Sequence, residues 1–148
     1  MGFFDNLKNA VTGGAAEVRL ETGPAVRGQV LQFRVHAQAK SDAQVNAVYL
    51  LIRAVETCQV KDTDWDDGKR MTETVRGRKV SFEQKVNVAP GGQLANGQAY
   101  SWDGQVQLPA QVGPTFRGTM IAHTWEVQAG LDMTGNDPDS GWITLEVQ

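Results

Sequence analysis

One cysteine and two histidines stand among 148 residues, and that scarcity removes whole classes of chemistry. A single thiol, Cys58, cannot close an intrachain disulfide, which fits a reducing compartment. Its expected place is in the core, as a small buried hydrophobe. No C-x-x-C or H-x-x-x-H spacing occurs, which argues against zinc. Long apolar runs are missing too: nothing approaches the ~18–20 residues needed to cross a bilayer. The opening Met1-Gly2-Phe3-Phe4-Asp5 lacks the basic start and apolar stretch of a secretory signal. Met1-Gly2 with Asn6 also lacks the Ser or Thr of a myristoylation motif. These absences lead us to expect a cytoplasmic protein. Neither sign of charge dominates: 14 Lys and Arg face 17 Asp and Glu, for a net charge of −3. Such a chain has no global pull toward nucleic acid or an anionic membrane, although a local basic patch is compatible with it. No nucleic-acid partner is expected.

Catalytic patterns are equally scarce. There is no G-x-S-x-G, and neither histidine has a serine or cysteine partner evident in the sequence. Gly13-Gly14 and Gly91-Gly92 are not followed by the Lys-Ser/Thr of a phosphate-cradling loop. Asp66 and Asp67 lie in a charged connection, not in a setting that would raise a carboxyl for acid catalysis. The expectation is a protein that is not an enzyme and needs no cofactor.

What the chain does contain is alternation. Thr119, Ile121, His123, Trp125, Val127, Ala129 and Leu131 share one parity, the mark of a strand with one buried face. Trp125 is therefore expected in the core. His123, on the same parity, is expected to be hydrogen-bonded and to point inward or toward an interface. Before it come Gln105–Leu108, a strand, and a turn marked by Pro109, Gly113, Pro114 and Gly118. Val18 and Leu20 mark a short strand, and Gly23-Pro24 breaks it. Val26 to Gln38 reads as a longer strand with a parity change at Val30-Leu31, which suggests a bulge or bend. Val45 to Val60 is apolar on both parities and reads as a central strand covered on both faces. Further strands are expected at Val80–Val88, Tyr100–Leu108 and Ile143–Val147, with turns at Pro90-Gly91-Gly92 and Asn96-Gly97. Seven or eight strands at regular spacing imply an antiparallel β-sandwich, immunoglobulin-like in type, as one domain over residues 1–148.

The one helical candidate is Gly2 to Val11. Phe3, Phe4, Leu7, Ala10 and Val11 fall on one face, and Gly13-Gly14 would stop the helix. An amphipathic helix over residues 1–12 would be too short to hold alone. It either caps the domain's own core or docks on a partner or membrane surface.

Two segments are candidate contact sites. Residues 61–79 form a long charged connection, its acidic half before its basic half, with Trp65 in the middle. It is either a solvated hairpin extension or a partner-binding loop anchored by Trp65, Arg70 and Arg76. Residues 132–139 gather Asp132, Asn136, Asp137 and Asp139, oxygen donors of the kind calcium uses. The spacing is not that of an EF-hand, and the same residues are common in turns.

Scattered positions resemble the arrestin-like proteins. Val26-Arg27-Gly28-Gln29-Val30 is similar to that family's v-x-G-x-v run, which leads into a second apolar strand. Leu108-Pro109, Pro114, Gly118 and the strand ending at Leu131-Asp132 resemble its later block. Phe3-Phe4 through Gly14-Ala15 and Val48-Tyr49-Leu50 look like the bacterial sporulation-control branch. The resemblance implies an arrestin-like sandwich acting as an adaptor or scaffold for protein partners. Its contacts would be sheet edges, the 61–79 loop or the N-terminal helix, through Phe3, Phe4, Leu7, Trp65, Arg70 and Arg76. A homodimer is one form such a partnership could take. The family commonly has two tandem sandwiches, and these residues account for one. The polar core of the phosphate-sensing arrestins has no match here. The alternative function is a ligand- or calcium-binding sandwich that uses residues 132–139.

Overall fold

The computed structural model describes residues 12–148, and all regular structure among them is β. Strand β1 (Thr12–Gly13) turns at Gly14-Ala15 into β2 (Ala16–Thr22), and β3 (Val30–Ala39) follows. Strands β4 (Ala43–Asp66) and β5 (Lys69–Leu94) form one long hairpin. The chain then runs through β6 (Ala99–Gln107), β7 (Phe116–Arg117), β8 (Ile121–Asp132) and β9 (Ile143–Leu145). One sheet has the order β1-β2-β3-β6 and the other β5-β4-β8-β7, with β9 also paired to β8. All the strand pairings are antiparallel.

The period of two explains the packing. Leu31, Phe33, Val35, Ala37 and Ala39 of β3 are buried, and the residues between them are more exposed. Val48, Leu50, Ile52 and Ala54 of β4 meet them from the other sheet, with Trp125, Val127, Ala129 and Leu131 of β8. Trp125 is fully buried, as expected. Its indole N–H donates to the Gly113 carbonyl at 2.9 Å, and its ring centroid lies 5.6 Å from that of Phe82. The buried polar tip is thus satisfied. Gly104 makes room for Phe33: a Cβ there would stand 2.5 Å from the ring.

Several expectations need correction. The all-β sandwich stands, but the short N-terminal helix assigned to residues 1–12 does not belong to it. No helix occurs among the described residues. Thr12 already lies in β1, and Gly14-Ala15 form a hairpin turn where Gly13-Gly14 were expected to stop a helix. Residues 1–11, with Phe3, Phe4 and Leu7, lie outside the described residues.

Val26–Gln29 is a turn, with Gly28 at φ 73°, so the parity change at Val30 is the start of a strand and not a bulge within one. Pro90-Gly91-Gly92 continues β5 and does not leave the sheet. Proline is tolerated there because β5 is an edge strand, whose outward N–H groups have no ladder partner. Real bulges occur where β5 meets β4, between Val48/Tyr49 and Ala54/Val55. Cys58 is exposed, because it lies where β4 has already run past the opposite sheet.

Candidate functional site

The 61–79 connection is not a loop. It is a two-stranded ribbon made by the far halves of β4 and β5, paired without interruption from Val55↔Val80 to Asp66↔Lys69. Only Asp67 and Gly68 turn, at φ 47° and 74°. Two successive positive φ values close a two-residue hairpin whose twist matches the flanking strands, and Asp-Gly is a sequence suited to it. That dipeptide was the signal for a ribbon. The strand residues around it are mostly polar, and the few apolar ones, Val60, Trp65, Met71 and Val75, are too widely spaced to reveal a hydrophobic period.

The register sorts the ribbon's charges by face. Trp65 stands opposite Arg70, Thr63 opposite Thr72, Lys61 opposite Thr74, Gln59 opposite Arg76, and Thr57 opposite Arg78. This face carries Lys61, Arg70, Arg76 and Arg78 and no carboxylate. On the other face Asp62 stands opposite Glu73, Asp66 opposite Lys69, and Glu56 opposite Lys79, with Asp64 beside Met71. Acidic groups outnumber basic ones there. Alternation within each strand does the sorting: Lys61, Arg70, Arg76 and Arg78 fall on one parity of the paired register, and Asp62, Asp64, Asp66 and Glu73 on the other. Trp65 is 73% exposed. Of the six residues expected to bind a partner, the three that are described, Trp65, Arg70 and Arg76, therefore share one face. Arg76 also donates to the Gln59 amide oxygen at 3.3 Å.

Where the ribbon leaves the sandwich, the inner face of the second sheet continues without a sheet opposite. Val60, Met71, Val75, Phe116 and Ile121 are all exposed along this overhang. Ile121 pairs with Cys58, and Cys58 with Gly77, so they form one row across three strands. Sequence parity predicted a buried face here and could not foresee that the other sheet ends short of it.

The two histidines sit in different networks, and each has a serine partner that the sequence did not reveal. His123 is held between the Pro114 carbonyl, 2.9 Å from Nδ1, and the Ser81 hydroxyl, 2.9 Å from Nε2. A carbonyl only accepts, so Nδ1 carries a proton. His36 lies on the outer face of the first sheet, with Nδ1 2.8 Å from the Ser101 hydroxyl. Its Nε2 stands 3.2 Å from the Glu21 carboxylate, without the alignment of a hydrogen bond. Ser101 of β6 stands directly opposite His36 of β3, and Glu21 of β2, which is opposite Arg34, reaches His36 diagonally. Ser101 is a mid-strand residue, and backbone N–H groups beside it lie in the plane of the sheet. They do not rise to form the donor pair that acyl transfer requires.

In the 132–139 loop the carboxylates serve the fold. Asp137 accepts from the Tyr49 hydroxyl at 2.9 Å and from the Met133 N–H at 3.0 Å, and Asp139 accepts from the Gly141 N–H at 2.7 Å. Burial above all, then the hydrogen bond to Asp137, pushes the Tyr49 hydroxyl well above the usual phenol range. Among the described residues no group of three or more His, Cys, Asp or Glu side chains is arranged to hold a metal ion. On the opposite sheet the Arg34 guanidinium, hydrogen-bonded to Asp103, holds that carboxyl below its ordinary range. Among the described residues no helix is long and apolar enough to cross a membrane.

No described protein family matches the sequence, and no curated protein matches it. Among solved structures, the chain is similar to the crystal structure of Spo0M, sporulation control protein, from Bacillus subtilis. The TM-score is 0.60 at 17% identity, over 91% of this chain and 50% of that one. The likeness is one of fold, and the chain spans about half the length of that protein.

Proposed function

We propose that this chain is a non-enzymatic adaptor or scaffold whose contact element is the β4–β5 ribbon. The observation that carries the reading is the ribbon itself. It projects beyond the sandwich and bares an apolar ledge of Val60, Met71, Val75, Phe116 and Ile121. Large apolar side chains exposed together on one face mark interaction sites. A protein partner docks on the ledge and along the β5 edge, where strand addition is available. Trp65, Arg70 and Arg76 form a second contact surface on the opposite face. The fold shared with a sporulation control protein is compatible with this role, and the Ser101–His36 pair lacks the donor geometry of an acyl-transfer site.

The test is excision. Residues 59–76 are replaced by a short Asn-Gly turn joining Cys58 to Gly77, which leaves the buried cluster whole. The excised chain should unfold at nearly the same urea concentration as the full chain. Proteins captured from lysate by the full chain should be lost. Capture that survives excision would move the contact surface to the sandwich body.

A further inference from the structure

We propose that the cationic face of the ribbon, with Trp65 at its tip, lies flat on the surface of an anionic phospholipid bilayer. This rests on the reading of the ribbon as the contact element and assigns the occupant of its second face. Four cations, Lys61, Arg70, Arg76 and Arg78, share the face with no carboxylate, in a chain whose net charge is −3. Among the described residues none of the four enters an ion pair. Their charge is uncompensated on that face, while the acidic side chains occupy the reverse.

Size decides against a protein on this face alone. Thr57, opposite Arg78, to Asp66 spans ten residues, or about 34 Å at ~3.4 Å per residue, and two strands are about 10 Å wide. One such face offers roughly 340 Å², against the ~800 Å² per partner of a stable interface. A lipid surface has no such threshold. Each Lys or Arg held against it multiplies partitioning by about five, so four together contribute several hundredfold.

Shape decides against nucleic acid. A ribbon in a major groove has phosphates rising along its sides, which would bring them toward Asp62, Asp64, Asp66 and Glu73. On a flat surface those groups are held roughly a Debye length away. The aromatic residue agrees, since an indole favours the headgroup level, where its ring is buried and its N–H stays wet. At the ribbon's root a shallow depression of about 460 Å³ is lined by Arg76, Arg78 and Met120, among others. Met120 is 58% exposed. The two guanidiniums suit a lipid phosphate, and the methionine suits the region just beneath it.

The experiment is co-sedimentation of the purified full chain with vesicles of 70% phosphatidylcholine and 30% phosphatidylserine, at 50 mM and 500 mM salt. We expect binding at low salt, loss at high salt, and none to pure phosphatidylcholine. Arg70→Gln/Arg76→Gln should weaken binding about 25-fold, the product of two fivefold losses. Binding should shift tryptophan emission to the blue, and Trp65→Phe should abolish that shift. Both variants alter exposed side chains, and their urea midpoints should match the parent. Equal binding to neutral vesicles, or binding unchanged in the double variant, overturns the proposal. So does duplex DNA binding stronger than vesicle binding at the same salt. Salt-sensitive self-association without vesicle binding overturns it in favour of a second copy of the chain. No partner protein takes part, so failure here leaves the excision test of the adaptor reading intact.

Discussion

Trp125 and Trp65 lie on strands of the same sheet, and one substitution applied to each tests the whole assignment of inside and outside. Trp125 is fully buried and Trp65 is 73% exposed. A buried indole removes roughly 200 Å² from water, worth about 5 kcal/mol at ~25 cal/mol per Å². Trp125→Ala forfeits most of this and leaves a cavity against Phe82 and His123, with the Gly113 carbonyl unpaired. The expected loss is about 3 to 5 kcal/mol, a large share of the ~5–15 kcal/mol that holds such a domain together. Trp125→Phe keeps much of the packing and loses the indole N–H, so it should cost about 1 to 2 kcal/mol. Trp65→Ala should fall within about 0.5 kcal/mol of the parent, as surface substitutions do. Urea unfolding followed by far-UV circular dichroism measures all three, with a common slope confirming a common unfolded state. A loss below about 1 kcal/mol for Trp125→Ala, outside the usual core range, would refute the packing described. A loss above about 2 kcal/mol for Trp65→Ala, far beyond surface values, would show that the ribbon tip is folded against something.

Other outcomes are expected from the same geometry. Gly104→Ala places a methyl against the buried Phe33 ring and should cost about 1 to 3 kcal/mol in the same titration; a neutral result would mean the ring has room to retreat. Tyr49→Phe removes a hydrogen bond to a carboxylate and should cost about 1.5 kcal/mol at neutral pH. The Tyr49 proton is held more tightly in the folded chain, so its contribution is whole below about pH 10, the unfolded phenol value, and is lost as pH rises toward the folded one. The parent should therefore lose more stability than the variant between pH 9 and 11, and equal losses would contradict the raised value. Cys58, exposed beside Gly77, should react with a thiol reagent in the folded protein; protection until unfolding would place it inside.

Local pattern determined much of this molecule. The alternation through Trp125, Val127, Ala129 and Leu131 was sufficient to name a strand and its buried face, because a strand's side chains alternate whatever it packs on. The doubly apolar run at Val48–Val55 likewise identified the central strand, which lies between β5 and β8. Tertiary structure decided the rest. Residues 61–79 look like a loop because neither face of the ribbon meets a core, and polar strands leave no hydrophobic period. Whether Ile121 is covered depends on where the opposite sheet ends, which no residue near Ile121 encodes. The serine partners of the histidines, Ser81 and Ser101, are 42 and 65 positions away in the chain. Register brings Ser101 opposite His36, and the β5 bulge leaves Ser81 free of the ladder, across β4 from His123. The same holds for the candidate site: composition showed a mildly acidic chain with no preference for anionic surfaces. Pairing the two runs side by side about a two-residue turn sets the register, and the alternation of each strand then puts Lys61, Arg70, Arg76 and Arg78 on one face and the ribbon's strand carboxylates on the other. A charge sum over the sequence cannot express that separation, because it is a property of which residues face the same way.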